Sequence, residues 1–308
     1  MPQQRPDAER VLHRLDWTVI RRLDGRLQGN YRTLFRGFGL ELAELREYQL
    51  TDDVRSIDWH VTARMQTPFV RQFMEDRELA AWFLLDLSPS VDFGTTSRQK
   101  RGLLVDFVAV LSRLLTRHGN RVGALLFTGT LERVIPAQGG RMHVLRLIRA
   151  LTEQPRLRRA PQTDLVPLLA SALRIIRRRS LVFVVSDFLS VPGWDRPLKM
   201  LSRTNEVLAV RISDPREADL PDIGPIVFED AETGEQLFLD THDKGFRRRF
   251  VDAARKRRTD LDAMLRSAGV ELLSLTTDGD MSREIVRFAS ERRQRRMAPG
   301  SRRLAGSR

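Results

Sequence analysis

The chain has 308 residues, of which 41% are apolar and 30% are charged, a composition typical of a soluble globular protein with one large core or two smaller ones. It contains no cysteine, which excludes disulfides, zinc–thiolate sites and a cysteine nucleophile, and no apolar run reaches the roughly 18 residues of a membrane span, so we expect a cytoplasmic protein. The net charge of +13 comes mainly from arginine, and much of it lies between Arg283 and Arg308. A basic terminus of this kind is usually just solvated.

Residues 1–78 are predicted to form an N-terminal helix and a β-rich module. Leu12 to Leu27 has the apolar spacing of a short amphipathic helix, and strand-like runs rich in charged residues follow it. The alternating charges in these runs favour a salt-bridge network that fixes the module against the rest of the chain, with Trp59 as its apolar anchor. The alternative is a second metal site at the adjacent pair Asp52 and Asp53.

Residues 79–293 alternate between continuous apolar runs and amphipathic stretches. Such apolar runs are typical of strands buried on both faces of a sheet, and their alternation with helices predicts a doubly wound, mostly parallel α/β sheet. The turn Thr128-Gly129-Thr130 predicts that the strand after it runs antiparallel to the strand before it. The predicted strands are Leu79–Leu85, Arg121–Phe127, Leu131–Pro136, Leu181–Val185, Val207–Ile212 and Val270–Leu275, and the predicted helices are Arg98–Arg117, Met142–Leu151, Leu165–Arg177, Arg196–Ser202, Lys244–Ala268 and Met281–Arg293.

Two segments depart from this alternation. Residues 214–240 are predicted to form a small β-hairpin insertion, and we expect its acidic residues Asp230, Glu232 and Asp240 to be solvated. The arginine-rich residues 294–308 are expected to form a disordered basic tail.

Oxygen-bearing side chains directly follow two of the buried strands and precede one helix. Asp86, Ser88 and Ser90 follow the first strand, Asp187 follows a later one, and Thr163 opens a helix. The carboxyl ends of parallel strands share one edge of the sheet, where ligand sites form. Oxygen ligands without histidine or sulfur favour Mg²⁺ or Mn²⁺. The sequence therefore predicts one such ion held by Asp86, Ser88, Ser90, Thr163 and Asp187, the last of them directly or through water.

Each of these residues also has an ordinary structural interpretation. Asp86 can cap the segment that follows it, Ser88-Pro89-Ser90 is a good turn sequence, and Thr163 or Asp164 can begin the next helix. Taken singly, these are the more common roles. Three oxygen-rich loops at the same end of strand–helix units favour a shared ion.

This arrangement resembles the metal-ion-dependent adhesion site of von Willebrand factor type A domains. Asp86-Leu87-Ser88-Pro89-Ser90, Thr163 and Asp187 match its motif in order and spacing. The resemblance implies that the ion keeps an open coordination position for an acidic side chain of a protein partner. One direct aspartate and neutral hydroxyls would leave positive charge unbalanced, which favours such a bond.

The chain is also similar to the bacterial domain-of-unknown-function family 58 over about residues 30–292. That resemblance implies an adaptor or co-chaperone that works beside a MoxR-type AAA+ ATPase. The chain departs from the family at Leu50-Thr51, where Pro-Gly is usual, and at Val91, where methionine is frequent. The matching motifs are Leu45-Arg46-Glu47-Tyr48, Asp52 to Trp59, Ala63-Arg64, Val70 to Glu75, Gly119 to Gly123, Asp214 to Glu217, Leu220-Pro221 and Glu229 to Gly234.

We expect a binding module and not an enzyme, because the catalytic alternatives each lack a residue. A phosphoryl-transfer hydrolase that uses Asp86 needs a second acid two residues later, and that position is Ser88. Acyl transfer by Ser88 or Ser90 needs a histidine base, and none follows these loops. A third alternative, nonspecific nucleic-acid binding through the arginine-rich surface, rests on charge alone.

Overall fold

The computed structural model describes residues 8–15, 20, 23, 44–49, 53–54, 57–65, 67–72, 80–157, 160–229 and 232–297. The strands are β1 (Glu44–Glu47), β2 (Phe69–Gln72), β3 (Ala80–Asp86), β4 (Arg121–Phe127), β5 (Leu131–Gln138), β6 (Leu181–Ser186), β7 (Glu206–Ser213), β8 (Pro225–Glu229), β9 (Gln236–Asp240) and β10 (Glu271–Thr276). The helices are α1 (Ala8–Leu15), α2 (Trp59–Met65), α3 (Lys100–Arg117), α4 (Arg141–Glu153), α5 (Val166–Ile175), α6 (Asp195–Thr204), α7 (Lys244–Ser267) and α8 (Met281–Met297), with short 3₁₀ helices η1 (Pro89–Asp92) and η2 (Pro215–Glu217).

A six-stranded sheet organises the main part of the chain. Its strands lie in the order β10-β7-β6-β3-β4-β5, and all neighbours are parallel except β4 and β5. The architecture is therefore mixed α/β with a mostly parallel sheet, as the alternation of apolar runs and helices predicts.

Successive residues of β3 enter two different cores. Ala81, Phe83 and Leu85 pack on one face of the sheet with α3, α4 and α8, whereas Trp82 and Leu84 pack on the other face with α5, α6 and α7. This period of two follows from the pleat of a strand. Because helices cover both faces, neither side of β3 can carry polar residues, which explains its continuous apolar run.

The elements predicted between residues 79 and 293 are present in the predicted order, with ends that differ by at most four residues. The hairpin prediction is confirmed, because β5 runs antiparallel to β4 and Gly129 adopts a left-handed φ of 106° in the turn. Helix α3 ends at the predicted stop, where Gly119 has a φ of 80° and its N–H donates to the carbonyl of Thr116.

The described part of the N-terminal region contains both helix and sheet. Strands β1 and β2 pair antiparallel, and the apolar residues of α1 belong to the same core as those of α3. A salt bridge of 2.6 Å between Arg14 and Asp106 adds to this contact. The helix predicted from Leu12 to Leu27 therefore begins earlier, at Ala8, and most of residues 16–27 lie outside the described residues.

The expectation that Trp59 anchors the N-terminal module is wrong. Its side chain is 66% exposed at the start of α2. The preceding residue is the buried one, because the Asp58 carboxylate accepts a hydrogen bond from the N–H of Val61 and so caps the helix. The second-metal hypothesis needs Asp52, which lies outside the described residues.

The insertion is a separate antiparallel hairpin of β8 and β9, as predicted. Asp240 is exposed as expected and Asp230 lies outside the described residues, but Glu232 is buried, so that part of the prediction is wrong. Helix α8 continues to Met297, into the segment predicted to be tail, and residues 298–308 lie outside the described part. None of the described helices combines the length and the apolar character that a membrane crossing requires.

Candidate metal-binding site

The carboxyl ends of β3 and β6 meet where the chain changes direction across the sheet. After β3 the chain continues to β4 on one side, whereas β6 lies on the other side of β3. Parallel sheets open a crevice at such a point. The last residues of the two strands are joined there, because the hydroxyl of Ser186 donates to Asp86 Oδ2 at 2.6 Å.

The Asp86 carboxylate is fully buried at this crevice. Its Oδ1 accepts a hydrogen bond from the N–H of Ser88 at 3.0 Å, so the capping interpretation is right for one of the two oxygens. No lysine, arginine or histidine of the described residues forms an ion pair with it. Burial, followed by the negative charge of Asp187, raises the pKa of Asp86 from 3.8 to about 6, against the opposing hydrogen bonds from Ser186 and Ser88.

The hydroxyls of Ser88 and Ser90 lie side by side just beyond Asp86. Their Oγ atoms are 3.0 Å apart and both residues are buried. Pro89 begins η1, and Ser88 occupies its N-cap position without a capping bond from its side chain. The turn interpretation thus explains the backbone conformation. It does not explain why two hydroxyl groups are buried beside Asp86, where their oxygens can also ligate a cation.

Asp187 directly follows Ser186, and both of its carboxylate oxygens accept hydrogen bonds. Oδ1 accepts from the N–H of Leu189 at 3.0 Å, and Oδ2 accepts from Lys100 Nζ at 2.8 Å. Phe188, between Asp187 and Leu189 in the sequence, has a left-handed φ of 59°. This conformation is costly for a bulky residue and is found more often at functional sites. Because both oxygens are engaged, a contact to an ion through water suits Asp187 better than direct ligation.

Lys100 supplies a buried cation to this rim. Its ammonium group bridges Asp187 and Glu217, and the side chain is 1% exposed. Burial alone would lower the pKa of Lys100, but the two adjacent carboxylates outweigh it and raise that pKa above its ordinary value. Asp187 therefore has a cationic partner, whereas no cation of the described residues pairs with Asp86.

Asp214 extends this network to two more loops. Its carboxylate accepts hydrogen bonds from the N–H of Thr95 at 2.9 Å, from the Thr95 hydroxyl at 2.6 Å and from the Thr277 hydroxyl at 2.7 Å. Glu217 completes a capping box with it by accepting from the Asp214 N–H. The Asp214 to Glu217 motif thus fixes the carboxyl ends of β7 and β10 beside the candidate site.

Thr163 belongs to the same rim, but its hydroxyl faces a different carboxylate. Its carbonyl accepts from the N–H of Val191 at 2.9 Å, which ties its loop to the segment after β6. Its N–H and its hydroxyl donate to the two oxygens of Glu232 at 3.0 and 2.5 Å. The helix-start interpretation is right for Asp164, whose carboxylate accepts from the N–H of Val166 at 2.9 Å, and it does not explain Thr163.

The side chains at this rim fit a divalent cation. Within the described residues no three carboxylate, histidine or cysteine side chains group together as ligands, so a coordination shell here would draw on hydroxyl, carbonyl or water oxygens as well. Asp86, Ser88 and Ser90 provide one carboxylate and two hydroxyls of the hard type that Mg²⁺ and Mn²⁺ prefer. A buried carboxylate without a cation is unfavourable, and an ion would supply the missing positive charge.

Comparison with known proteins places the chain in a family. The family model described as "Protein of unknown function DUF58" matches residues 44–260. The chain belongs to this family. An uncharacterized protein of Mycobacterium tuberculosis (strain ATCC 25618 / H37Rv) is 40% identical to this DUF58 chain over 293 residues, which cover 95% of this chain and 92% of that protein.

Two further comparisons are more limited. An uncharacterized protein of Mycobacterium avium is 38% identical over 164 residues, covering 53% of the DUF58 chain and 96% of its own length. The crystal structure of the conserved hypothetical protein BatB from Bacteroides thetaiotaomicron is 14% identical and superposes with a TM-score of 0.44, covering 70% of this chain and 99% of that one. This TM-score is too low to establish a shared fold.

Proposed function

We propose that the DUF58 chain is a von Willebrand factor type A-like binding module and not an enzyme. It holds one Mg²⁺ or Mn²⁺ ion with Asp86, Ser88, Ser90, Thr163 and Asp187. Through this ion it binds an acidic side chain of a protein partner in the cytoplasm. The family resemblance makes a MoxR-type AAA+ ATPase, or the client of one, the partner to test.

The observation that carries this proposal is the uncompensated charge of Asp86. This carboxylate is fully buried, it lies beside a second carboxylate, and within the described residues its hydrogen bonds come only from neutral groups. Lys100 forms ion pairs with Asp187 and Glu217, and Arg211 adds a second positive charge near both carboxylates. An ion bound at Asp86 would therefore remove the electrostatic penalty of a second buried carboxylate.

The same charge balance supports an acidic partner. One direct carboxylate neutralises half the charge of a divalent ion, and serine or threonine hydroxyls add none. The remaining positive charge favours a carboxylate brought by another molecule.

The surface of α7 is consistent with such a partner. This helix is mostly exposed and carries many more basic than acidic residues. Surface charge of one sign accelerates association with a partner of the opposite sign. It equally permits nonspecific nucleic-acid binding, which would not depend on the metal and would fall steeply with salt.

The enzymatic alternatives receive less support from the geometry. The position two residues after Asp86 holds Ser88, whose hydroxyl lies 3.0 Å from that of Ser90 and offers no acid of suitable pKa. His143 is buried but its Nε2 bonds to the carbonyl of Val122. Within the described residues no hydrogen bond joins the His143 ring to either serine, and acyl transfer needs such a bond between the base and the nucleophile.

The test is the binding of a purified MoxR-type ATPase from the same genome, measured with Mg²⁺ and with EDTA. We expect Asp86→Ala to abolish the Mg²⁺-dependent binding. The control Asp195→Ala removes an exposed carboxylate from the start of α6 and should bind like the wild type. Equal binding with and without Mg²⁺, or equal binding by Asp86→Ala, would contradict the proposal.

A further inference from the structure

The hairpin insertion places one carboxylate in the rim of the sheet. Glu232 lies between β8 and β9, is 9% exposed and accepts hydrogen bonds from Thr163, 69 residues earlier in the chain. Its main-chain carbonyl accepts a further bond from the N–H of Ala160 at 3.1 Å. Both the side chain and the backbone of Glu232 therefore attach the hairpin to the loop before α5.

The sequence of the hairpin turn maintains this placement. Gly234 adopts a left-handed φ of 74°, which favours glycine at this position. The hydroxyl of Thr233 accepts a hydrogen bond from the N–H of Glu235 at 3.2 Å. These local bonds stabilise a turn that directs the Glu232 carboxylate toward Thr163 and away from solvent.

A hydroxyl group can ligate a cation through its oxygen only when its proton points elsewhere. The Thr163 proton is donated to Glu232 Oε1 at 2.5 Å, so the oxygen lone pairs are left for another contact. The backbone around it is held as well, because Val191 donates to the Thr163 carbonyl at 2.9 Å and Leu165 donates to the Ser190 hydroxyl at 3.2 Å. A carboxylate that accepts a hydrogen bond from a metal ligand orients that ligand and makes its oxygen more basic, so the oxygen binds the metal more strongly.

We infer that Glu232 is a positioning residue of the metal site, which acts through Thr163 and does not touch the ion. Both of its oxygens are engaged by Thr163, one by the N–H and one by the hydroxyl. This inference rests on the proposed function, since it requires the ion at Asp86. It makes the β8–β9 hairpin part of the site, so ion binding and docking of the hairpin must strengthen each other.

The experiment is a double-mutant cycle on the affinity for Mn²⁺ alone, measured by electron paramagnetic resonance on the full chain. We expect Glu232→Gln to weaken Mn²⁺ binding about tenfold, because Gln presents an N–H₂ group to one of the two Thr163 donors. In the Thr163→Val background the same change should alter the affinity by less than about twofold, since the hydroxyl it positions is gone. Glu229→Gln is the matched control, because Glu229 is an exposed acid of the same hairpin.

The outcomes separate this inference from the proposed function. If wild-type Mn²⁺ binding is absent or unaffected by Asp86→Ala, the metal site itself is wrong. If Asp86 matters but Glu232→Gln binds Mn²⁺ like the wild type, the positioning role is wrong. An equal loss with and without the Thr163 hydroxyl would also overturn it, because Glu232 would then act on the fold or on the ion directly.

Hydrogen exchange on the wild-type chain gives a second test, which does not depend on whether a variant folds. The Thr163 N–H donates to Glu232, so its exchange reports docking of the hairpin. Mn²⁺ should slow exchange at Thr163 and in β8 and β9. Unchanged exchange there on saturation with Mn²⁺ would contradict the coupling.

Discussion

Lys100 places an ammonium group between Asp187 and Glu217 with almost no access to water. Replacing one partner of a buried ion pair leaves the other charges uncompensated, which costs about 3–5 kcal/mol. We therefore expect Lys100→Met to lower the free energy of unfolding by that amount in urea denaturation. Lys199→Met, on the exposed face of α6, should change it by less than about 0.5 kcal/mol. Similar stability of the two variants would show that the Lys100 pairs are not structural.

His143 gives a pH dependence whose sign can be derived. Its Nε2 lies 2.7 Å from the carbonyl of Val122 and must donate, while the buried Nδ1 has no hydrogen-bond partner among the described residues, so the neutral ring fits the site. Burial is the main cause that lowers the pKa of His143 below 6.5, and the charge of Arg146 adds to it, although the bond to Val122 opposes both. The unfolded chain then binds the proton more readily than the folded one. Stability is fully present above pH 6.5 and is lost as the pH falls below that value.

The measurement is the free energy of unfolding of wild type and His143→Gln at several pH values between 7.5 and 5, a range chosen around the ordinary histidine pKa of about 6.5. The wild type should lose up to about 1.4 kcal/mol per pH unit more than the variant below pH 6.5. Taking the difference removes the contribution of other groups. Parallel curves for the two proteins would contradict a neutral buried His143.

Among the site residues, the sequence predicts those whose chemistry follows a strand directly. Asp86 and its two serines are found this way, because the strand before them is a continuous apolar run. Lys100 carries a weaker signal, since it lies three and seven residues before Leu103 and Phe107 and so falls on the apolar face of α3. Glu232 carries none, because its contact with Thr163 depends on how a distant hairpin folds back.

At the scale of elements, the packing of β3 against β4 explains a glycine in the Gly119 to Gly123 motif. A Cβ added at Gly123 would lie 2.8 Å from the ring of Trp82 and 3.0 Å from the N of Ala137, so the strand pair has no room for it. We expect Gly123→Ala to destabilise the protein by about 1–3 kcal/mol, because the ring and the backbone must move.

A second glycine provides a control of opposite sign. Gly102 lies on the exposed side of α3, where an added Cβ would meet nothing closer than Arg98 Cγ at 3.8 Å. Gly102→Ala should stabilise the helix by about 0.5–1 kcal/mol. Thermal denaturation of both variants checks the pair, and a stable Gly123→Ala protein would show that β3 and β4 repack easily.

The strands and helices of the main domain are predicted well because each is defined by local periodicity. Burial of β3 on both faces, for example, is visible as an apolar run from Ala80 to Leu85. The N-terminal helix is predicted less well, since α1 begins at Ala8 and its apolar residues join the core of α3. That contact joins residues about ninety positions apart, as the Arg14–Asp106 salt bridge does, and local patterns do not encode it.

For the molecule as a whole, ion binding must appear as added stability. A ligand that binds only the folded state stabilises it by about 2.7 kcal/mol at one hundred times its Kd. For a chain of 308 residues, whose unfolding entropy is about 0.65 kcal/mol/K, we expect such a concentration of Mg²⁺ to raise Tm by roughly 4–5 °C relative to EDTA. Asp86→Ala should show no rise, and Asp195→Ala should show the full rise. A rise that survives Asp86→Ala would place the ion elsewhere.

Because Lys100 is buried, the chemical reactivity of its amine reports how often the rim of the sheet opens to solvent. The chain has four lysines, and Lys199, Lys244 and Lys256 are exposed whereas Lys100 is buried. A water-soluble acylating reagent should therefore modify the three exposed lysines and the terminal amine quickly, and Lys100 only when the rim separates. The fraction of chains that carry the additional group after a given time would then measure how fast Lys100 leaves its ion pairs with Asp187 and Glu217.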